Sequence, residues 1–276
     1  MTPGQRAEAL IARYGITDPR DIDVEAIAFA SGIEVEYHPL TGCEATLVGF
    51  DGRAIATVKP SHIRGRERFS IGHELGHWEL HRGKSFRCRI DDPDDNLASN
   101  RVEEKEADTF AAHLLMPAPL FNPRVNALNK PSFRNLEGLA SEFDTTLLAT
   151  AIRVADVNKL PVVLACYTAS GRRWFKAADD VPLRWWLKKR LDDDTFAYDL
   201  LTHGKQHVGL GKQPAEAWFD NNDAENFEVF EDCVPGKNGE VFVLLYLETD
   251  MMDAGFDPDV GRRYNQYGSY ASRRST

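Results

Sequence analysis

Residues 73–77 read His-Glu-Leu-Gly-His. In a helix, positions i and i+4 stand one above the other on the same face. His73 and His77 can therefore offer two imidazole nitrogens to one metal ion, and Glu74, offset by one position, can reach a water held beside them. A helix through this string has to lie against something that completes the ligand set and shelters it. The flanks agree with a helix. Arg66-Glu67-Arg68-Phe69-Ser70-Ile71 precedes the string, Trp78-Glu79-Leu80 follows it, and no proline interrupts. Phe69, Ile71, Leu75 and Leu80 supply apolar positions for its buried side. Gly76 costs about 1 kcal/mol relative to alanine inside a helix, so it points to a metal site or a crossing helix that must approach the backbone closely. The competing explanation is a chance match, a risk any short motif carries in a chain with 8 histidines. The continuous helical context argues against it.

Two histidines do not complete a catalytic metal site; a third protein ligand and one open position are expected. Downstream, Val102 to Met116 reads as a second helix, with Asn100 as N-cap, Glu103 near a capping-box position and Pro117 as the stop. Glu104 and Asp108 lie four apart on one face. Glu104 can then ligate the metal while Asp108 accepts a hydrogen bond from the far nitrogen of a ligating histidine, which fixes its tautomer. Glu103 and Glu106 compete for the ligand role, and glutamates on a helix are commonly a solvated face. Glu104 is preferred because it alone has the Asp108 partner at i+4.

The strings "RERFSIGHELGHWELH" and "EEKEADTFAAHLLMP", with "DIDVEAIAFASGIEVEYHPL" upstream, resemble the ImmA/IrrE metallopeptidases. The resemblance is strong over about residues 4–117 and weaker to about 156. It implies a zincin-like metallopeptidase fold, a zinc-dependent endopeptidase activity, Glu104 as the glutamate ligand and Glu74 as general base. Gly72 departs from the family, where alanine is commoner before the motif, without touching the chemistry. Characterised relatives cut a helix-turn-helix repressor and so release stress-response or mobile-element genes. Zinc is the expected occupant, with manganese as the alternative, since first-row metals compete for such ligands.

At 276 residues the chain has room for more than one domain, and 42% hydrophobic with 28% charged residues is ordinary for a globular protein. A net charge of −10 disfavours a nucleic-acid partner, which calls for a basic stripe, and suits a basic protein partner. No apolar run reaches membrane-helix length and no hydrophobic signal core opens the chain. Cys43, Cys88, Cys166 and Cys233 are scattered with no C-x-x-C pair. These features lead us to expect a cytoplasmic protein with reduced thiols and no membrane partner.

The class expected is α+β. Residues 1–128 form the peptidase domain. It begins with a helix over 4–14, a second near 22–31 ending at Gly32, and a strand from Ile33 to Tyr37. A hairpin of Ala45–Phe50 and Arg53–Val58 follows, turning at Asp51-Gly52. These strands suggest a small antiparallel sheet whose hairpin edge could pair with an extended substrate. Residues 82–99 read as a polar loop. Residues 129–158 resemble a helix-turn-helix-like unit around Phe143-Asp144. Arg134 and Arg153 stand there against Glu137, Glu142, Asp144 and Asp156, too few cations for reading DNA. Residues 159–255 form an α+β sensor or partner-binding module. Its expected strands are Val162–Tyr167, Arg172–Lys176, Phe227–Phe230 and a central Val241–Leu247, with a helix from Pro182 carrying Leu183, Trp186, Leu187 and Leu191. Residues 256–276 are rich in Gly, Ser, Arg and Tyr and suggest a disordered tail.

His81 continues the ladder of His73 and His77 by four more residues. It is a candidate contact for substrate or its oxyanion, a candidate hydrogen-bond support behind the ligands, or a packed helix-end histidine favoured by the dipole. His113 should face away from Glu104. The expectation is therefore a metallo-endopeptidase acting on a protein, most readily a helix-turn-helix repressor. A non-cleaving metal-holding scaffold or antitoxin-like regulator is the alternative. Glu74 argues for the first, because a scaffold has no use for a general base beside a metal.

Overall fold

The computed structural model describes residues 1–82, 86–88, 100–207 and 209–253. The chain divides into two compact units, Met1–Lys159 and Leu160–Thr276. The tail expected over 256–276 and most of the 82–99 loop lie outside the described residues.

In the first unit, α1 (Pro3–Arg13) starts at a Thr2–Gln5 capping box, and α2 (Val24–Ala30) is capped by Asp23. Then come β1 (Ile33–Tyr37), β2 (Ala45–Phe50) and β3 (Arg53–Val58). The Asp51-Gly52 turn has φ of 48° and 77° at its two residues, the paired positive angles that a two-residue type I′ hairpin requires. After α3 (Arg64–Leu80), the short strand β4 (Phe86–Cys88) pairs with β2, inside a segment read from sequence as loop. The sheet order is β1-β3-β2-β4. Only the β1–β3 pair is parallel, so the sheet is mixed rather than wholly antiparallel. The hairpin edge expected to be free is covered over part of its length. β3 is interior, and β2 is paired on both sides over Ala45–Leu47.

One sheet face carries small or compact residues, Ala45, Leu47, Ala54, Ala56 and Val58, all buried. Against it packs α3, with Ile71, Leu75 and Trp78 in the core. The next helix, α4 (Asn100–Leu115), contributes Phe110 and Leu114 to the same core. It begins at Asn100 itself, one residue earlier than an Asn100 cap would have it. The glycine expectation is met by the crossing of these helices. A Cβ on Gly76 would lie 3.0 Å from Ala107 Cα and 3.1 Å from its carbonyl oxygen. A Cβ on Gly72 would sit 3.3 Å from Ala111 Cβ. Glycines and alanines thus bring the two backbones together.

After α5 (Ala118–Asn126), not foreseen in the sequence, α6 (Phe133–Phe143) and α7 (Leu147–Asp156) form the helical pair. Their turn is docked on the start of α3. Asp144, in the left-handed region at φ 51°, accepts from Arg68 Nη1 at 2.9 Å and pairs with Arg64 Nε at 2.7 Å. Arg153 of α7 is buried, donating to the Met116 carbonyl and lying 2.9 Å from His113 Nε2.

The second unit holds a five-stranded antiparallel sheet, order β6-β5-β9-β8-β7, from β5 (Val162–Thr168), β6 (Gly171–Ala177), β7 (Gly211–Pro214), β8 (Glu228–Pro235) and β9 (Val241–Leu247). β9 is central, as its unbroken apolar run suggests. The helix expected from Pro182 is not formed. Lys188 N donates to Trp218 O, Lys189 O accepts from Arg172 N, and Leu187 bridges Phe219. These backbone groups are committed to neighbouring segments, and Leu183, on the supposed apolar stripe, is exposed. Helix α8 lies later, at Phe196–His203, and α9 at Thr249–Asp253. Glu231 of β8 accepts from the first two amides of α8, Phe196 N at 3.1 Å and Ala197 N at 2.7 Å.

Candidate metal centre

α3 is buried nearly all round along its second half, so its polar side chains must find partners inside the fold. His73 is 3% exposed, and His77 and Glu74 are 0% exposed. The i, i+4 spacing places His73 Nε2 3.0 Å from His77 Nε2. From the crossing helix α4, Glu104 enters with Oε2 3.2 Å from His73 Nε2 and Oε1 3.5 Å from His77 Nε2. Asp108, one turn further, meets the other side of His73, with Oδ1 2.9 Å from Nδ1.

The tautomer follows. The carboxylate of Asp108 can only accept, so the His73 proton sits on Nδ1 and Nε2 carries the lone pair. That lone pair is aimed at a carboxylate and at a second imidazole nitrogen. Acceptors converge on acceptors here, an arrangement that asks for a cation between them. The separations of 3.0, 3.2 and 3.5 Å lie at or a little under the roughly 3.3–3.6 Å between ligand atoms of four-coordinate zinc with bonds of about 2.0–2.2 Å. Burial would raise the Glu104 carboxyl, but the two facing imidazoles outweigh it and hold it at about 2, so this ligand is charged at neutral pH. Burial lowers His77 below the usual histidine range, which favours the neutral, ligating form. His73, His77 and Glu104 could thus hold a metal ion.

The rival glutamates do not share this point. Glu106 turns instead to His81, with Oε2 2.8 Å from His81 Nε2. Glu103 is not in the cluster. His81 Nδ1 lies 3.2 Å from His77 Nδ1, so both ring nitrogens of His81 are directed at protein groups. This geometry does not suit the substrate or oxyanion contact expected of it. His113 faces away, 2.7 Å from Glu8 Oε1. The His81–Glu106 contact was not foreseen, since it depends on how the two helices are set against each other. Among the described residues the other acidic cluster, Asp192-Asp193-Asp194, is largely exposed and has no histidine.

A mixed sheet packed on a His-bearing helix, with a carboxylate from the next helix completing three converging donors, fits a zincin-like metallopeptidase fold. Residues 28–155 match the family described as the IrrE N-terminal-like domain, Peptidase M78, consistent with an ImmA/IrrE family protein. Among solved structures, a Mycobacterium tuberculosis transcriptional regulator is similar at 14% identity and a TM-score of 0.58, over 90% of this chain and 76% of that one. At that identity the likeness concerns the fold alone. No curated protein matches the chain.

Proposed function

We propose that the chain is a zinc-dependent endopeptidase that cuts a protein partner, a helix-turn-helix repressor being the class favoured, and so relieves repression of stress-response or mobile-element genes. The observation that carries the reading is the convergence of two imidazole Nε2 atoms and one carboxylate within 3.0–3.5 Å of one another. His73, His77 and Glu104 would hold the metal. When bound, zinc polarises a peptide carbonyl and makes water acidic near neutral pH; manganese could serve in its place. Glu74, next to His73 and wholly buried, is the general base. Its carboxylate accepts a proton from the attacking water and returns it to the leaving amine nitrogen. Asp108 keeps the His73 proton on Nδ1 and the ring in position.

Two features favour a protein substrate over direct DNA reading. The net charge is −10, which suits a basic partner. Arg153, the one arginine of α7, is buried, so it is not available to a phosphate. No described helix is long and apolar enough to cross a membrane. The scattered cysteines, with no C-x-x-C pair, suit the cytoplasmic reading. The test is incubation with a candidate repressor, with and without chelator and with Glu74→Gln. A discrete fragment formed only by the metal-loaded wild type supports the proposal. Stable binding without a fragment at any metal loading would instead establish the non-cleaving scaffold.

A further inference from the structure

The two histidines of the cluster are supported differently, and the difference assigns a role to residues outside it. His73 is backed directly by a carboxylate. His77 is backed by another imidazole, which is itself backed by a carboxylate. We propose that His81 and Glu106 act as a hydrogen-bonded pair that fixes the tautomer and ring orientation of His77, and so are positioning residues for the metal centre. The inference rests on the metal-centre reading above.

Only one placement of protons satisfies all three groups. His77 Nε2 faces His73 and Glu104, so for ligation it must carry the lone pair and His77 must hold its proton on Nδ1. That proton points at His81 Nδ1, 3.2 Å away, which must accept. His81 then carries its own proton on Nε2, 2.8 Å from a Glu106 oxygen that accepts. Each group dictates the state of the next, ending at the ligating nitrogen. The His81 side chain is 8% exposed, so these bonds are made largely out of water and the chain polarises toward His77. Its backbone is set as well: His81 caps α3, donating its N–H to the His77 carbonyl at 2.8 Å.

The test measures Zn2+ affinity of the full chain by competition with a chromophoric chelator. His81→Phe, which removes the acceptor, should weaken binding about 10- to 100-fold. His81→Asn, whose amide oxygen can stand where Nδ1 stands, should recover most of that loss. Glu106→Ala, at a partly exposed position that does not threaten folding, should weaken binding in the same direction. It should add little on top of His81→Phe, because both act through one nitrogen. In proton NMR of the Zn2+-loaded chain, the His77 Nδ1–H signal should be protected from exchange in the wild type and lost in His81→Phe. Wild-type protein that takes up no stoichiometric Zn2+ would overturn the metal centre and this inference together. Stoichiometric wild-type binding, with His81→Phe and Glu106→Ala each within about twofold of it, would overturn this inference alone. Should His81→Phe not fold, Glu106→Ala decides the matter by the same criterion.

Discussion

Glu104 and Asp108 meet one imidazole from opposite sides: His73 Nε2 faces Glu104 and Nδ1 faces Asp108. On the proposed reading, a single turn of α4 would supply both a donor to the cation and the acceptor that holds the ligand's tautomer. The roles are separable by substitution. Glu104→Gln should lose stoichiometric metal, read by elemental analysis of the purified chain, whereas Glu74→Gln should retain it and yield no cleavage fragment. Glu106→Gln keeps an oxygen for His81 and should stay metal-loaded; loss of zinc there, with retention in Glu104→Gln, would reverse the ligand assignment. Asp108→Ala should weaken affinity about 10- to 100-fold without abolishing it, measured by chelator competition. At this scale much was legible in the sequence. Within a regular helix, spacing alone says which side chains share a face, so His73 with His77 and Glu104 with Asp108 could be paired off on paper. The His81–Glu106 contact could not, because it depends on the register between two helices, and sequence spacing does not carry that.

The crossing of α3 and α4 sets that register, and it depends on the missing side chains at Gly72 and Gly76. Gly76→Ala gains about 1 kcal/mol of helix propensity but forces a methyl within 3.0 Å of the Ala107 backbone. Overpacking of this kind costs about 1–3 kcal/mol, so the net effect should be a lower denaturation midpoint and weaker metal binding. Gly138, exposed in the interior of α6 with nothing within 4 Å of its added Cβ, is the control. Gly138→Ala should raise stability by about 0.5–1 kcal/mol. Elements with strong local signals matched expectation: the Asp51-Gly52 hairpin, the apolar β9 and the helix through the histidines. The segment after Pro182 did not. Its apolar residues recur at helical intervals, but its backbone amides and carbonyls are taken by Arg172, Trp218 and Asp220, partners far away in sequence. The three residues of β4 were too short a run to register against their polar surroundings.

Across the whole molecule, the two units each have a sheet and a core of their own, and they should answer differently to pH. In the second unit, burial pushes the Glu231 carboxyl up to about 7, against the lowering by the Ala197 and Phe196 amides and the Trp218 indole N–H. A carboxyl raised from 4.5 binds a proton in the folded state that the unfolded chain releases. The stabilising contribution is therefore complete below pH 4.5 and lost as pH rises through about 7. On the order of 3 kcal/mol is at stake, visible as a fall in the urea midpoint of this unit between pH 5 and 8, and Glu231→Gln should flatten the slope. A chain ended at Lys159 should still take up one equivalent of metal, checked by elemental analysis, since the three donors and the Asp108 and His81 contacts all lie in the first unit.

The histidine-bearing helix has core on one side, a neighbouring helix on another and the docked turn of Asp144 at its start. Little of its second half is left to drift in evolution or to be decorated by engineering. In a saturating mutational scan, that stretch should stand out as the least permissive in the chain, intolerant even at positions that touch neither metal nor substrate.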